Sequence, residues 1–351
     1  MTKTAEHHEP FFLQWHLTDR CNLRCSHCYG DHITTRELGL AEAREVVDRF
    51  AAFVRGMGRR GSVHLTGGEP LLRADLFVIV RVIRSSGLGV RLMSNGTLID
   101  EAVGERLRAY GVRVVQVSVD GDPETHDAIR GEGSHAAVMS GIRALGRVGM
   151  TVTVSMTVHR RNLHAIEAVA RDAARAGARR LHLARHVPCG RGAALADELL
   201  DAAEWRRARR RVLRAARRHR LELPLRDPTW IEAGADPPVG VGCAVGYSGL
   251  ALGADGTLYP CRRLPISLGN VLEQDLSEVW AGPLLSRLRD RDALLGRCGR
   301  CPARWRCGGC RAVAAAVNGS PLAEDPQCDG PGRRRPARGR LRSLLRDTLT
   351  R

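Results

Sequence analysis

Hydrophobic positions recur along this chain with two periods. Six short runs are alternating or continuously apolar: 11–17 (FFLQWHL), 62–66 (SVHLT), 89–94 (GVRLMS), 112–119 (VRVVQVSV), 150–158 (MTVTVSMTV) and 179–187 (RRLHLARHV). Each predicts a β-strand. Between them, 40–56, 74–86, 99–110, 136–148 and 163–176 carry Leu, Val or Ala at three- and four-residue spacing, as amphipathic helices do. Strand–helix alternation builds a parallel sheet with outer helices, because every parallel return needs a crossover. Closing an eight-unit barrel would take two more strand–helix pairs. Instead 197–221 reads as one long Arg-rich helix, after which the chain turns rich in Gly, Pro and Cys. The expected fold class is therefore α/β, a partial (β/α)6 barrel followed by a small C-terminal domain.

Composition changes near residue 223 and divides the chain into four parts. Residues 11–196 form the barrel, 197–239 the Arg-rich helix and a connector, 240–330 the cysteine-rich domain, and 331–351 a basic tail. A chain of 351 residues exceeds one core of ~150 residues, in keeping with more than one unit. A hydrophobic fraction of 43% excludes a disordered chain, and no apolar run approaches the roughly 18 residues of a membrane span. The first residues lack the apolar core of a signal peptide, so the cytoplasm is the expected compartment.

The formal charge of +17 invites a nucleic-acid reading, but nearly all of it sits in two segments. Residues 205–220 hold nine Arg and no acid, and 332–351 hold eight Arg against Asp347, so the rest of the chain is close to neutral. Neither segment interleaves aromatics with its charges, which argues against nucleic acid as partner.

Eleven cysteines point to metal in a compartment where disulfides are disfavoured. After the first strand the chain reads Thr18-Asp-Arg-Cys21-Asn-Leu-Arg-Cys25-Ser-His-Cys28-Tyr29. Three thiolates on one loop can hold three corners of a 4Fe–4S cubane, leaving one iron open to chelation by an amino and a carboxylate group, the chemistry of S-adenosylmethionine (SAM) cleavage. A zinc site completed by His27 or His32 is the competing reading. Thr66-Gly67-Gly68-Glu69-Pro70 follows the second strand, Ser94-Asn95-Gly96-Thr97 the third, and Ser118-Val-Asp120-Gly121 the fourth, with Ile129-Arg130-Gly131 downstream.

The CxxxCxxC run with the following GGEP segment resembles the radical SAM family. The resemblance implies that Cys21, Cys25 and Cys28 ligate the SAM-binding cluster and that His27 lies beside the adenine. It further implies SAM contacts at Gly67, Gly68, Glu69, Ser94, Asn95, Ser118 and Arg130, with the two glycines letting backbone approach the methionine amino group.

The remaining spacing is Cys243, Gly256-x4-Cys261, Cys298-x2-Cys301-x5-Cys307-x2-Cys310 and then Cys328. It resembles the SPASM domain, which carries two auxiliary 4Fe–4S clusters, so three clusters are expected in all. By that resemblance Cys298, Cys301, Cys307 and Cys328 hold the distal cluster, and Cys243, Cys261 and Cys310 the nearer one, whose fourth ligand the motif omits. A pair of zinc-ribbon sites is the alternative. Cys189, in His186-Val-Pro-Cys189-Gly-Arg-Gly192, belongs to neither signature. A hydrogen-atom donor, the missing ligand and simple packing are all open to it.

The resemblance implies hydrogen abstraction by a 5′-deoxyadenosyl radical, from a ribosomally made peptide that is crosslinked or epimerised. Leader recognition would fall to a separate protein or to the helix at 205–220, and a reducing electron donor is required. Modification of a tetrapyrrole side chain or another small molecule is the alternative substrate class. An iron–sulfur electron carrier is the non-enzymatic one.

Overall fold

The computed structural model describes residues 10–30, 36–224, 227–233, 242–328 and 330. The basic tail and part of the connector lie outside the described residues.

Six strands run parallel: β1 (Phe11–His16), β2 (Gly61–Thr66), β3 (Gly89–Ser94), β4 (Val114–Ser118), β5 (Thr151–Val158) and β6 (Arg180–Arg185). The crossovers carry α1 (Leu40–Gly56), α2 (Leu76–Ser85), α3 (Glu101–Ala109), α4 (Pro123–Arg130), α5 (Ser134–Arg147) and α6 (Ile166–Arg175). Acidic caps start α3 and α4. Asp100 accepts from Val103 N at 2.8 Å, and Asp122 from Thr125 N at 3.0 Å with Pro123 in the first turn. Leu13, Trp15, Leu65, Val117 and Val154 are buried between the sheet and these helices, and that packing supplies the main driving force for the barrel.

The Arg-rich helix is α7 (Ala202–Arg218), opened by a capping box of Asp201 and Glu204. Trp205, Ala208, Val212 and Ala215 face inward and most arginines face out, but Arg209 is buried and donates to the Thr229 carbonyl.

The sheet does not stop where composition changes. β7 (Gly249–Leu252) pairs parallel with β1, and β8 (Leu258–Tyr259) pairs antiparallel with β7, giving the order β6-β5-β4-β3-β2-β1-β7-β8. All four residues of β7 are buried, so the strand lacks the alternation that marks longer ones. Gly249 is required there, since a Cβ would lie 2.4 Å from the Phe12 ring. Beyond the hairpin come α8 (Leu276–Ala281), α9 (Pro283–Arg289), α10 (Gly296–Arg300) and α11 (Arg311–Asn318), more helix than the turn-rich sequence predicts. Each spans eight residues or fewer, too short for periodicity to declare it. Trp280 of α8 meets Phe11 edge-on, with ring centroids 5.0 Å apart, and seats the small domain on the barrel.

Candidate active site

Every parallel strand delivers its following loop to one end of the sheet, the C-terminal end where such barrels place chemistry. The first loop carries Cys21, Cys25 and Cys28. Backbone N–H groups of Leu23 and Gly30 point at the sulfurs of Cys21 and Cys28, each at 3.4 Å, and Arg130 Nη1 lies 3.6 Å from Cys25 Sγ. Burial holds the Cys21 and Cys25 thiols above their ordinary range, so metal loading must displace protons.

Gly67 and Gly68 also allow the cysteine loop to pack closely. A Cβ on Gly67 would fall 2.4 Å from Thr18 O, and one on Gly68 2.2 Å from Arg20 O. Gly68 N and Glu69 N donate to those same carbonyls at 2.7 and 2.8 Å. The space the glycines open is filled by the cysteine loop itself, which they lock to β2. Arg73 braces the loop from behind, donating to Leu17 O at 2.7 Å.

Glu69 is fully buried. Its carboxylate accepts from Ser94 Oγ at 2.9 Å, Asn95 N at 2.8 Å and Leu71 N at 3.1 Å, joining the ends of β2 and β3. Burial outweighs these bonds and lifts its pKa to about 7. Asn95 reaches Asn22 Oδ1 at 2.8 Å and Cys21 Sγ at 3.9 Å. Ser118 ends β4, in register with Ser155 of β5.

Asp120 is the site residue that the motif reading passes over, although it stands between the quoted Ser118 and Gly121. It is wholly buried, ion-paired with Arg130, 3.3 Å from His27 Nε2, and accepts from Thr157 N at 2.7 Å. Burial pushes its carboxyl up, but the guanidinium of Arg130 beside it prevails and holds it at about 2. Arg130 thus bridges Asp120 and the cysteine loop. His27 is driven down to about 3 by burial and stays neutral. Its Nδ1, and both ring nitrogens of neighbouring His159, are buried without a protein partner.

The turn after β6 closes over the same loop. Gly192 N donates to Cys28 O at 2.9 Å, and a Cβ on Gly190 would lie 2.5 Å from Tyr29 O. Between this turn and the β7–β8 hairpin lies a cleft lined by Asp19, Tyr29, Cys189, Asp255, Tyr259 and Arg262, with Gly30, Gly190 and Gly253 among its other lining residues. Arg262 donates to His16 Nδ1, which fixes the ring proton on Nε2, 3.0 Å from the Tyr29 hydroxyl. Burial first, and then Arg262, keeps His16 well below its usual pKa.

In the small domain, N–H groups again face sulfur. Asp325 N and Arg311 Nη2 lie 3.3 and 3.6 Å from Cys298 Sγ, Gly309 N 3.4 Å from Cys307 Sγ, and Gly330 N 3.4 Å from Cys328 Sγ. All eleven cysteines are free thiols. Donors of this kind steady thiolates and tune the metal they hold, so the residues present fit iron–sulfur clusters.

The Radical SAM superfamily model matches residues 15–173, and the iron-sulfur cluster-binding SPASM model matches 243–302. An AdoMet-dependent heme synthase of Methanosarcina barkeri is 33% identical over 91% of this chain and 96% of its own length. The chain belongs to the radical SAM superfamily. A PqqA peptide cyclase of Ruegeria pomeroyi is 30% identical, covering 97% of this chain and 91% of the relative. The solved structure of anSMEcpe with bound AdoMet superposes with a TM-score of 0.73 at 19% identity, covering 91% of this chain and 94% of that one. This radical SAM/SPASM protein is an enzyme of a family that uses iron–sulfur clusters and SAM. Among the described residues no helix is long and apolar enough to cross a membrane.

Proposed function

We propose that the enzyme abstracts a hydrogen atom from a peptide held in the cleft between barrel and hairpin, leading to a crosslink or an epimerised centre. A reduced cluster with one open iron, when bound, supplies the electron that splits SAM into methionine and a 5′-deoxyadenosyl radical. Cys21, Cys25 and Cys28 would hold it. Gly67 and Gly68 fix that loop, while Glu69, Ser94, Asn95, Ser118, Arg130 and His27 surround the SAM position. Cys243, Cys261 and Cys310 would hold the nearer auxiliary cluster, and Cys298, Cys301, Cys307 and Cys328 the distal one. The protein's own work is to exclude water and aim one C–H bond.

The cleft carries the peptide reading. Asp19, Asp255 and Arg262 stand beside Tyr29 and Tyr259, with Gly30, Gly190 and Gly253 between them, which suits an extended chain whose backbone passes the glycines and whose side chains meet both charged and aromatic groups. Tetrapyrrole modification is the second reading, favoured by 33% identity to a heme synthase across nearly its whole length. We place the enzyme in the cytoplasm, where its free thiols stay reduced, with a low-potential electron donor as partner.

Anaerobically reconstituted enzyme should contain about 12 irons, four for each of three clusters. With reductant and SAM it should form 5′-deoxyadenosine. Peptides encoded beside its gene and an iron tetrapyrrole bearing propionates are then compared by mass spectrometry. The expected result is turnover of a peptide, abolished by replacing Cys21, Cys25 and Cys28 with Ala. Turnover of the tetrapyrrole alone overturns the peptide assignment, and absence of 5′-deoxyadenosine overturns the whole reading.

A further inference from the structure

We infer that Cys189 is the fourth thiolate of the nearer auxiliary cluster, which makes that cluster fully protein-ligated. The inference rests on the three-cluster reading above and names a ligand that the SPASM motif lacks.

The turn carrying Cys189 is pinned at two points. Cys189 N donates to Val187 O at 2.8 Å, and Gly192 N to Cys28 O at 2.9 Å, with Gly190 at φ +55° pressed against Tyr29. This fixed turn sets Cys189 against the small domain. Cys189 and Cys261 pack on one apolar group formed by Val187, Leu264, Val313 and Cys310. Cys261 and Cys243 meet again on the adjoining group around Val245 and Leu288. The guanidinium of Arg263 lies within electrostatic reach of Cys189, Cys261 and Cys310, anchored by its bond to Arg185 O at 2.9 Å. A fixed cation beside several thiols offsets the negative charge that thiolate ligation brings.

The cysteine inventory also closes. Of eleven cysteines, three lie on the loop that leaves an iron open and four in the distal set, so the four that remain, Cys189, Cys243, Cys261 and Cys310, complete one cluster. Ligation replaces the S–H bond of Cys189 with S–Fe, the proton passes to solvent, and no redox change is required.

Two measurements on the full-length, cluster-loaded enzyme test this. Cys189 borders an open cleft and is only half-buried, so a free thiol there can be alkylated. Brief anaerobic labelling with iodoacetamide and peptide mapping should leave Cys189 unmodified in loaded protein and modify it after iron chelation. The second measurement uses a background with Cys21, Cys25 and Cys28 replaced by Ala, so that only auxiliary clusters report. There Cys189→Ala should alter one of two paramagnetic signals and make it respond to cyanide, while the distal signal stays as an internal control of folding. Labelling of Cys189 in protein that holds about 12 irons, or signals unchanged by Cys189→Ala and indifferent to cyanide, overturns the inference. An iron content near four would instead defeat the three-cluster reading on which it rests.

Discussion

Glu69 shows how one side chain sets a pH dependence. Its carboxylate accepts three hydrogen bonds that favour the charged form, yet complete burial wins and raises the pKa from 4.5 to about 7. Between these values the folded chain binds the proton and the unfolded chain does not. The contribution to stability is therefore full below about pH 4.5 and is lost as pH rises through 7, by up to about 3 kcal/mol. Glu69→Gln cannot ionise. Denaturation of loaded enzyme should show wild type losing stability relative to Glu69→Gln between pH 5 and pH 8, and parallel curves would refute this account. A SAM ammonium near the carboxylate would act in the opposite sense, so saturating SAM should flatten the slope. The same scale explains what the sequence leaves hidden. Gly67, Gly68 and Glu69 are legible as a motif, but the motif cannot reveal that the glycines yield to Thr18 and Arg20 or that Arg130 is committed to Asp120, because both facts depend on contacts between distant loops.

At the scale of elements, the six-strand frame is legible because strands of five to eight residues with apolar faces alternate with helices of eight or more. β7 escapes detection for the opposite reason, being four residues long, buried on both faces and defined by its pairing with β1. The charge on α7 is legible in number but not in use. Arg209 turns inward and donates to Thr229 O, while Arg207, Arg210 and Arg214 are exposed. If α7 recruits an acidic leader or a carboxylate-rich substrate, those three are the exposed charges it would meet. Replacing them with Gln should raise KM about tenfold at low ionic strength and flatten its dependence on salt, because exposed charges steer association and are screened over about 8–10 Å. A KM that remains at the wild-type value from low to high salt would return α7 to a solvated helix.

For the whole molecule, one buried cation joins barrel and cap in addition to the β1–β7 pairing and the Phe11–Trp280 contact. Arg185 ends β6 and reaches Asp325 Oδ2 at 2.7 Å and Asp227 Oδ1 at 2.7 Å, so barrel, connector and small domain share a single guanidinium. Asp325 also accepts from Cys310 N at 2.8 Å and turns its own N–H to Cys298 Sγ at 3.3 Å, touching both auxiliary cysteine sets. Removing the cation leaves two buried carboxylates uncompensated, at a cost of about 3–5 kcal/mol. The damage falls on the cap, because the loop of Cys21, Cys25 and Cys28 is held separately by Gly68, Arg73 and Arg130. Arg185→Gln should therefore lose about eight irons to a chelator well before wild type does, while about four remain and SAM is still cleaved. Loss of all iron at one rate would mean that barrel and cap unfold together, and that Arg185 supports the whole enzyme instead of its cap.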